Sequence, residues 1–138
     1  INQYGYDFTQ IFKYDNMMLD IFNDVGEHFD SLPYGNYTLL VPPGFTYHGK
    51  VTYHQGFYMS SNRIQIVKEG SLYEDELQFY HAICDYWSEK ASFDQTKFAF
   101  DYYRESYFLT LSKKQADELM SHGYQLEYTN NECYVIRL

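Results

Sequence analysis

The tightest constraint on this chain is the stretch SLYEDELQFYHAICDYWSEK, residues 71–90, whose apolar residues recur with the period of a helix. Tyr73, Leu77, Tyr80, Cys84 and Trp87 line one side of a 3.6-residue turn, and carboxylates dominate the other. Ser71 and Glu74 have the spacing of a capping box, which predicts that the helix begins at Ser71. Burying large side chains at roughly 1.5–3 kcal/mol each is enough to anchor such a helix against other elements. A second helix is predicted from Asp15 to Phe29, with Asp15 as N-cap and Met18, Phe22, Val25 and Phe29 on its apolar side. Gly26 weakens its second half, and Pro33 and Gly35 then break the chain.

Strands fill the intervals. NYTLLV (36–41) is a short apolar run stopped by Pro42 and Pro43. GFTYHGKVTYHQGFYMSS alternates, with Phe45, Tyr47, Val51 and Tyr53 on one face, His48 and His54 on the other, and Gly49-Lys50 as a two-residue turn. RIQIV (63–67) turns Ile64 and Ile66 inward. TKFAFDYYRESYFLTL reads as a hairpin turning near Arg104-Glu105, with a helix from Phe93 as the alternative. Ser112 and Gln115 form a second capping box for a helix ended by Gly123, and YQLEY and CYVIRL pair around Thr129-Asn130-Asn131-Glu132. This order contains too few βαβ crossovers for a doubly wound sheet. The expected fold is α+β: one domain over residues 1–138, a mostly antiparallel sheet of hairpins, and two or three helices packed on one side.

Charge is where the sequence says most about function. Nineteen Asp and Glu stand against ten Lys and Arg, a formal charge of −9. Direct binding to nucleic acid calls for the opposite sign, so a partner protein with a basic surface is favoured. The same balance also serves solubility alone. Residues 1–35 and 71–105 each carry −5, whereas 36–70 carries +2 and 106–138 carries −1. On the first helix Asn16, Asp20, Asn23, Glu27 and Asp30 share the outer stripe, with Asp24 beside it. On the second, Asp75, Gln78, Asp85 and Glu89 do so, and Tyr86 lies among them. Four residues of helix rise about 6 Å, a spacing comparable to that of charges along a nucleic-acid backbone. The seventeen Tyr suit interfaces, but half-buried strands and biased codon usage would raise Tyr as well.

Chemistry-bearing motifs are absent: there is no P-loop, G-x-S-x-G, H-E-x-x-H or Cys quartet. His48 and His54 share a hairpin face, and His81 with Asp85 lie one helical turn apart, so a metal or a His-based enzyme is the alternative to pure binding. Glu74, Asp75 and Glu76 are consecutive and do not converge on one reacting atom. No cofactor or metal is expected. Cys84 and Cys133 are read as free thiols of a reducing, cytoplasmic setting, and no apolar run is long enough to span a membrane. INQYGYDFTQ shows no secretion signal, and an opening on Ile1 rather than Met is consistent with a trimmed upstream segment.

The function expected from these features is non-enzymatic: an acidic, Tyr-rich protein that occupies a basic, nucleic-acid-binding site on a partner. Asp20, Asp24, Glu27, Asp30, Asp75, Asp85, Glu89 and Tyr86 are its expected contact residues. Small inhibitors from phages and mobile elements that block CRISPR or restriction nucleases share this charge and size, although no motif ties the chain to any such family. An immunity protein or antitoxin capping a toxin's active site relies on the same physics.

Overall fold

The computed structural model describes residues 15–43, 63–67 and 69–138. The aromatic lead-in (Tyr4, Tyr6, Phe8, Phe12) and the hairpin carrying His48 and His54 lie outside the described residues. So do the side chains of residues 15–19, of Phe22, of Arg63 and of Ser71. The elements are α1 (Asp15–Asp30), β1 (Asn36–Leu40), β2 (Arg63–Ile66), a 3-10 turn (Glu69–Ser71), α2 (Glu74–Trp87), α3 (Phe93–Tyr102), β3 (Tyr107–Thr110), α4 (Lys113–Ser121), β4 (Gln125–Thr129) and β5 (Tyr134–Arg137).

The strands form one sheet in the order β2-β1-β3-β5-β4. The class is α+β, but the sheet is mixed rather than mostly antiparallel. Among the described residues β1 runs parallel to both β2 and β3, and the pairs β3–β5 and β4–β5 are antiparallel. For the β1–β3 pair the difference traces to one segment, whereas the β1–β2 connection runs largely outside the described residues. Residues 93–102 are helix α3, not the first arm of a hairpin, and a two-helix connection between β2 and β3 is long enough to return the chain parallel. The signal was in the sequence: the Ser92 hydroxyl accepts from Gln95 N at 3.2 Å while the Gln95 side chain accepts from Ser92 N at 2.8 Å. That is a complete capping box, and it outweighs the strand-like aromatics that follow. β3-α4-β4 is a second crossover, with β5 inserted between its two strands.

Alternation along the strands divides the core into two layers. Leu40, Phe108 and Ile136 pair in register across β1, β3 and β5 and pack against α2, α3 and α4. Leu39, Tyr107, Leu109 and Val135 point the other way, joined by Ile64 and Ile66, and receive Ile21, Val25 and Phe29 of α1. Three helices therefore share one side, as expected, but α1 covers the opposite face. Helix α1 runs through Gly26 because Val25 and Phe29, on either side of it, are fully buried.

Helix α2 departs from expectation at its start. Its N-cap is Tyr73, in extended conformation and with no side-chain capping bond, so the helix opens at Glu74 rather than Ser71. Tyr73 thereby leaves the buried stripe and is 77 % exposed. The stripe that remains is broader than one helical side: Tyr80, Ile83, Cys84, Tyr86 and Trp87 are all buried, because α3 and α4 close over the flanks that a bare sheet would leave open. The helix ends in a Schellman motif, with Glu89 N donating to Tyr86 O and Lys90 N to Asp85 O. Glu89 holds the left-handed position (φ 63) that glycine usually fills. In α4 the same motif is built with Gly123 at φ 96.

Candidate protein-binding surface

The acidic residues singled out by the sequence are distributed over both faces of the molecule. On α1, Asp20, Glu27 and Asp30 are exposed, while Asp24 is half-buried and accepts from Asn130 Nδ2 at 2.8 Å. One turn further on, His28 Nε2 meets Glu127 Oε2 at 2.7 Å, and its ring stacks on Tyr128. The inner edge of the α1 row is thus tied to the β4–β5 hairpin. Tyr34, 92 % exposed, projects beyond the end of this helix.

On α2, Asp75 is exposed in the first turn, where the positive end of the helix dipole favours carboxylates. Asp85 is half-buried beside the helix end, and Glu89 is exposed just past it. Tyr86 does not belong to the outer surface. It is 3 % exposed and its hydroxyl donates to Glu118 Oε1 at 2.5 Å, so α4 covers the side of α2 on which Tyr86 was expected to meet a partner. Burial, and then the Glu118 carboxylate, push the Tyr86 phenol above its ordinary range. Tyr86 and Glu89 meet instead at a cleft of about 470 Å³ between the end of α2, Ser92 and Gln95 of α3, and Lys114 and Glu118 of α4. Lysines and carboxylates mix there, so the cleft does not extend the anionic surface.

Because α1 and α2 lie on opposite sides of the sheet, their two acidic rows cannot meet one flat partner site together. They differ in company as well. Beside Asp75 and Glu76, the α2–α3 pair exposes aromatic rings: Phe98 is 49 % and Tyr102 46 % exposed. Phe79 of α2 stacks on Tyr102 with ring centroids 4.0 Å apart and planes at 4°, and lies 5.8 Å from Phe98. Burial, and then the Glu76 and Asp75 carboxylates, raise the Tyr102 phenol above its ordinary value. Lys97 pairs with Asp101 at 3.0 Å, on a flank of α3 that faces Tyr124. Phe98 and Tyr102 are hidden by the hairpin reading of residues 96–111 and come together only under its alternative, a helix from Phe93; Glu76 and Phe79 lie on a helix the sequence does show, but outside its outer acidic stripe. The four-residue step from Phe98 to Tyr102 is the helical spacing that shows the two rings.

The histidine reading changes partner. His81 Nε2 lies 3.6 Å from Glu69 Oε2 in the 3-10 turn, while the Asp85 carbonyl accepts from Lys90 N and Ala91 N. Among the described residues no three His, Cys, Asp or Glu side chains come together as a metal cage. None of the described helices is long and apolar enough to cross a membrane. Cys84 and Cys133 are free and buried, one in each core layer. Burial pushes both thiols up, from an ordinary 9.0 to about 12.

Those thiols begin an alkaline decline to which the buried phenols of Tyr86 and Tyr103, also raised by burial, add at higher pH. Above about pH 9 the unfolded chain releases both thiol protons while the folded one retains them, so stability holds below that pH and falls as pH rises toward 12. Thermal melts should show a flat midpoint up to pH 9 and a decline beyond it, shallower in the Cys84→Ala, Cys133→Ala double variant. A midpoint that declines as steeply without the cysteines would mean that other groups set the limit.

Comparison of the chain with protein-family models, with curated proteins and with solved structures gave no match.

Proposed function

We propose that this protein is a non-enzymatic binder whose acidic, aromatic surface occupies a basic site on a partner protein. The site is of the kind that ordinarily holds nucleic acid, as in a CRISPR or restriction nuclease. One observation carries the reading: Asp75 and Glu76 stand one helical turn before Phe79, whose ring stacks on the half-exposed Tyr102, and among the described residues no ion pair joins either carboxylate to a cation. Carboxylates there substitute for phosphates and rings for bases, the two features that a single-strand channel recognises. In the first turn of α2 the helix dipole also favours both carboxylates, so the fold tolerates them without a paired cation.

The opposite placement of α1 and α2 sharpens the test, because one row should matter and the other should not. The α2 end is favoured, since the α1 row is partly engaged with Asn130. Reversing Asp75 and Glu76 to lysine should weaken a partner captured from a host lysate at least about tenfold, the effect of losing two close charge pairs. Reversing Asp20 and Glu27 should leave it bound. Nucleic acid should displace the wild-type protein from that partner, and added salt should weaken the complex. A partner that tolerates the Asp75, Glu76 reversal and resists displacement by nucleic acid would overturn the reading.

A further inference from the structure

Along α3, Asp94, Phe98 and Tyr102 follow one another at four-residue steps and so share one face of the helix. All three are exposed. Phe79 packs against the two rings, and Asp75 and Glu76 precede Phe79 by four and three residues, one turn of α2. The result is an aromatic floor with a carboxylate at one end and two at the other. Half-exposed rings set beside carboxylates favour a partner group that is both flat and cationic.

We propose that this floor binds arginine side chains of a basic protein segment, a deepening that rests on the reading above. Arginine satisfies both features together. Its guanidinium is flat, weakly hydrated and able to lie against a ring, and its fork of N–H donors fits a carboxylate with two parallel hydrogen bonds. Lysine carries the same charge as a strongly hydrated point and gains less from a ring. A charged row alone would not distinguish the two cations, whereas rings and carboxylates combined do.

The test uses the whole chain and two synthetic peptides of equal length and charge, one Arg/Gly and one Lys/Gly, titrated by calorimetry. The arginine peptide should bind about threefold to tenfold more tightly, the range expected for cation–ring contact with bidentate pairing. Tyr102→Leu combined with Phe98→Leu keeps apolar bulk and should erase that preference without abolishing binding. Asp75→Asn with Glu76→Gln should weaken both peptides. Unaltered circular dichroism and melting would certify the variants, and the comparison of peptides on the wild-type protein depends on no variant at all. Equal affinity for the two peptides, or a preference that survives the leucine substitutions, overturns arginine recognition and leaves the acidic binder standing. Binding indifferent to Asp75→Asn and Glu76→Gln, or no binding of either peptide, overturns arginine recognition as well; the partner competition then decides the acidic-binder reading separately.

Discussion

Phe108→Ala should lower the stability of this protein by about 3–5 kcal/mol, the usual cost of truncating a fully buried phenylalanine. Phe108 is 0 % exposed at the middle of β3, between Leu40 of β1 and Ile136 of β5. Its ring stacks on Trp87 at 5.0 Å, and Phe100 and Tyr86 meet it edge-on at 5.5 and 6.0 Å. One side chain thus joins the central strand to both α2 and α3, and neither helix can follow the retreating side chain without leaving its other contacts. Small domains have only about 5–15 kcal/mol in hand, so the melting midpoint should fall on the order of 10–20 °C. Phe98→Ala, at a ring half in water, should cost well under half as much. Urea titrations followed through the near-ultraviolet dichroism of Trp87 compare the two directly. A Phe108→Ala protein within about 1 kcal/mol of the wild type would contradict the shared aromatic layer.

How much of this layer the sequence disclosed depends on which side of each element was covered. Tyr80, Cys84 and Trp87 are legible because they face the sheet, and a single apolar face is what helical periodicity reports. Tyr86 is not, because its ring is covered by Phe100 of α3 and Phe108 of β3 and its hydroxyl is met by Glu118 of α4, and no periodicity within α2 records elements that arrive later in the chain. The terminal hairpin is legible from its turn: Asn130 Oδ1 accepts from Glu132 N and Cys133 N, and Asn131 takes the left-handed conformation at φ 71. The end of α4 is marked by Gly123, whereas the equivalent end of α2 is masked by Glu89 in the same conformation. The acidic rows were readable residue by residue. Their separation onto opposite faces was not, because periodicity within a helix does not tell which side of a sheet it covers. The exposed ring pair of Phe98 and Tyr102 is hidden by the hairpin reading of residues 96–111 and shown by its alternative, the helix from Phe93.

Gln115→Glu is the substitution expected to do the most damage for the fewest atoms changed. Gln115 is 5 % exposed, and its side chain does not complete the capping box that Ser112 begins. Ser112 Oγ accepts from Gln115 N at 3.1 Å, but the Gln115 amide turns inward. Its Nε2 donates to the carbonyls of Tyr86 and Trp87 at 2.9 and 3.1 Å, and its Oε1 accepts from the Thr110 hydroxyl at 2.7 Å. The carbonyls at a helix end have no partner within the helix, so α4 caps α2 from outside while holding β3 by the same amide. A glutamate there keeps the shape, loses both donors and sets a buried charge against two carbonyl oxygens. The expected cost at pH 7 is about 3–5 kcal/mol, the range for stranding a buried charge. Protonation supplies one donor and removes the charge, so the native fold should hold the introduced carboxyl's proton more tightly than the unfolded chain does. The sign follows: relative to the wild type, the variant should be least impaired below about pH 4 and lose ground as pH rises through the carboxylate range. Gln115→Leu, which has no charge to titrate, should cost about 2–3 kcal/mol by stranding the Trp87 carbonyl, with no such pH dependence. If the Glu and Leu variants kept the same offset from the wild type at pH 4 and at pH 7, the inward amide would not be the tie between α2, β3 and α4.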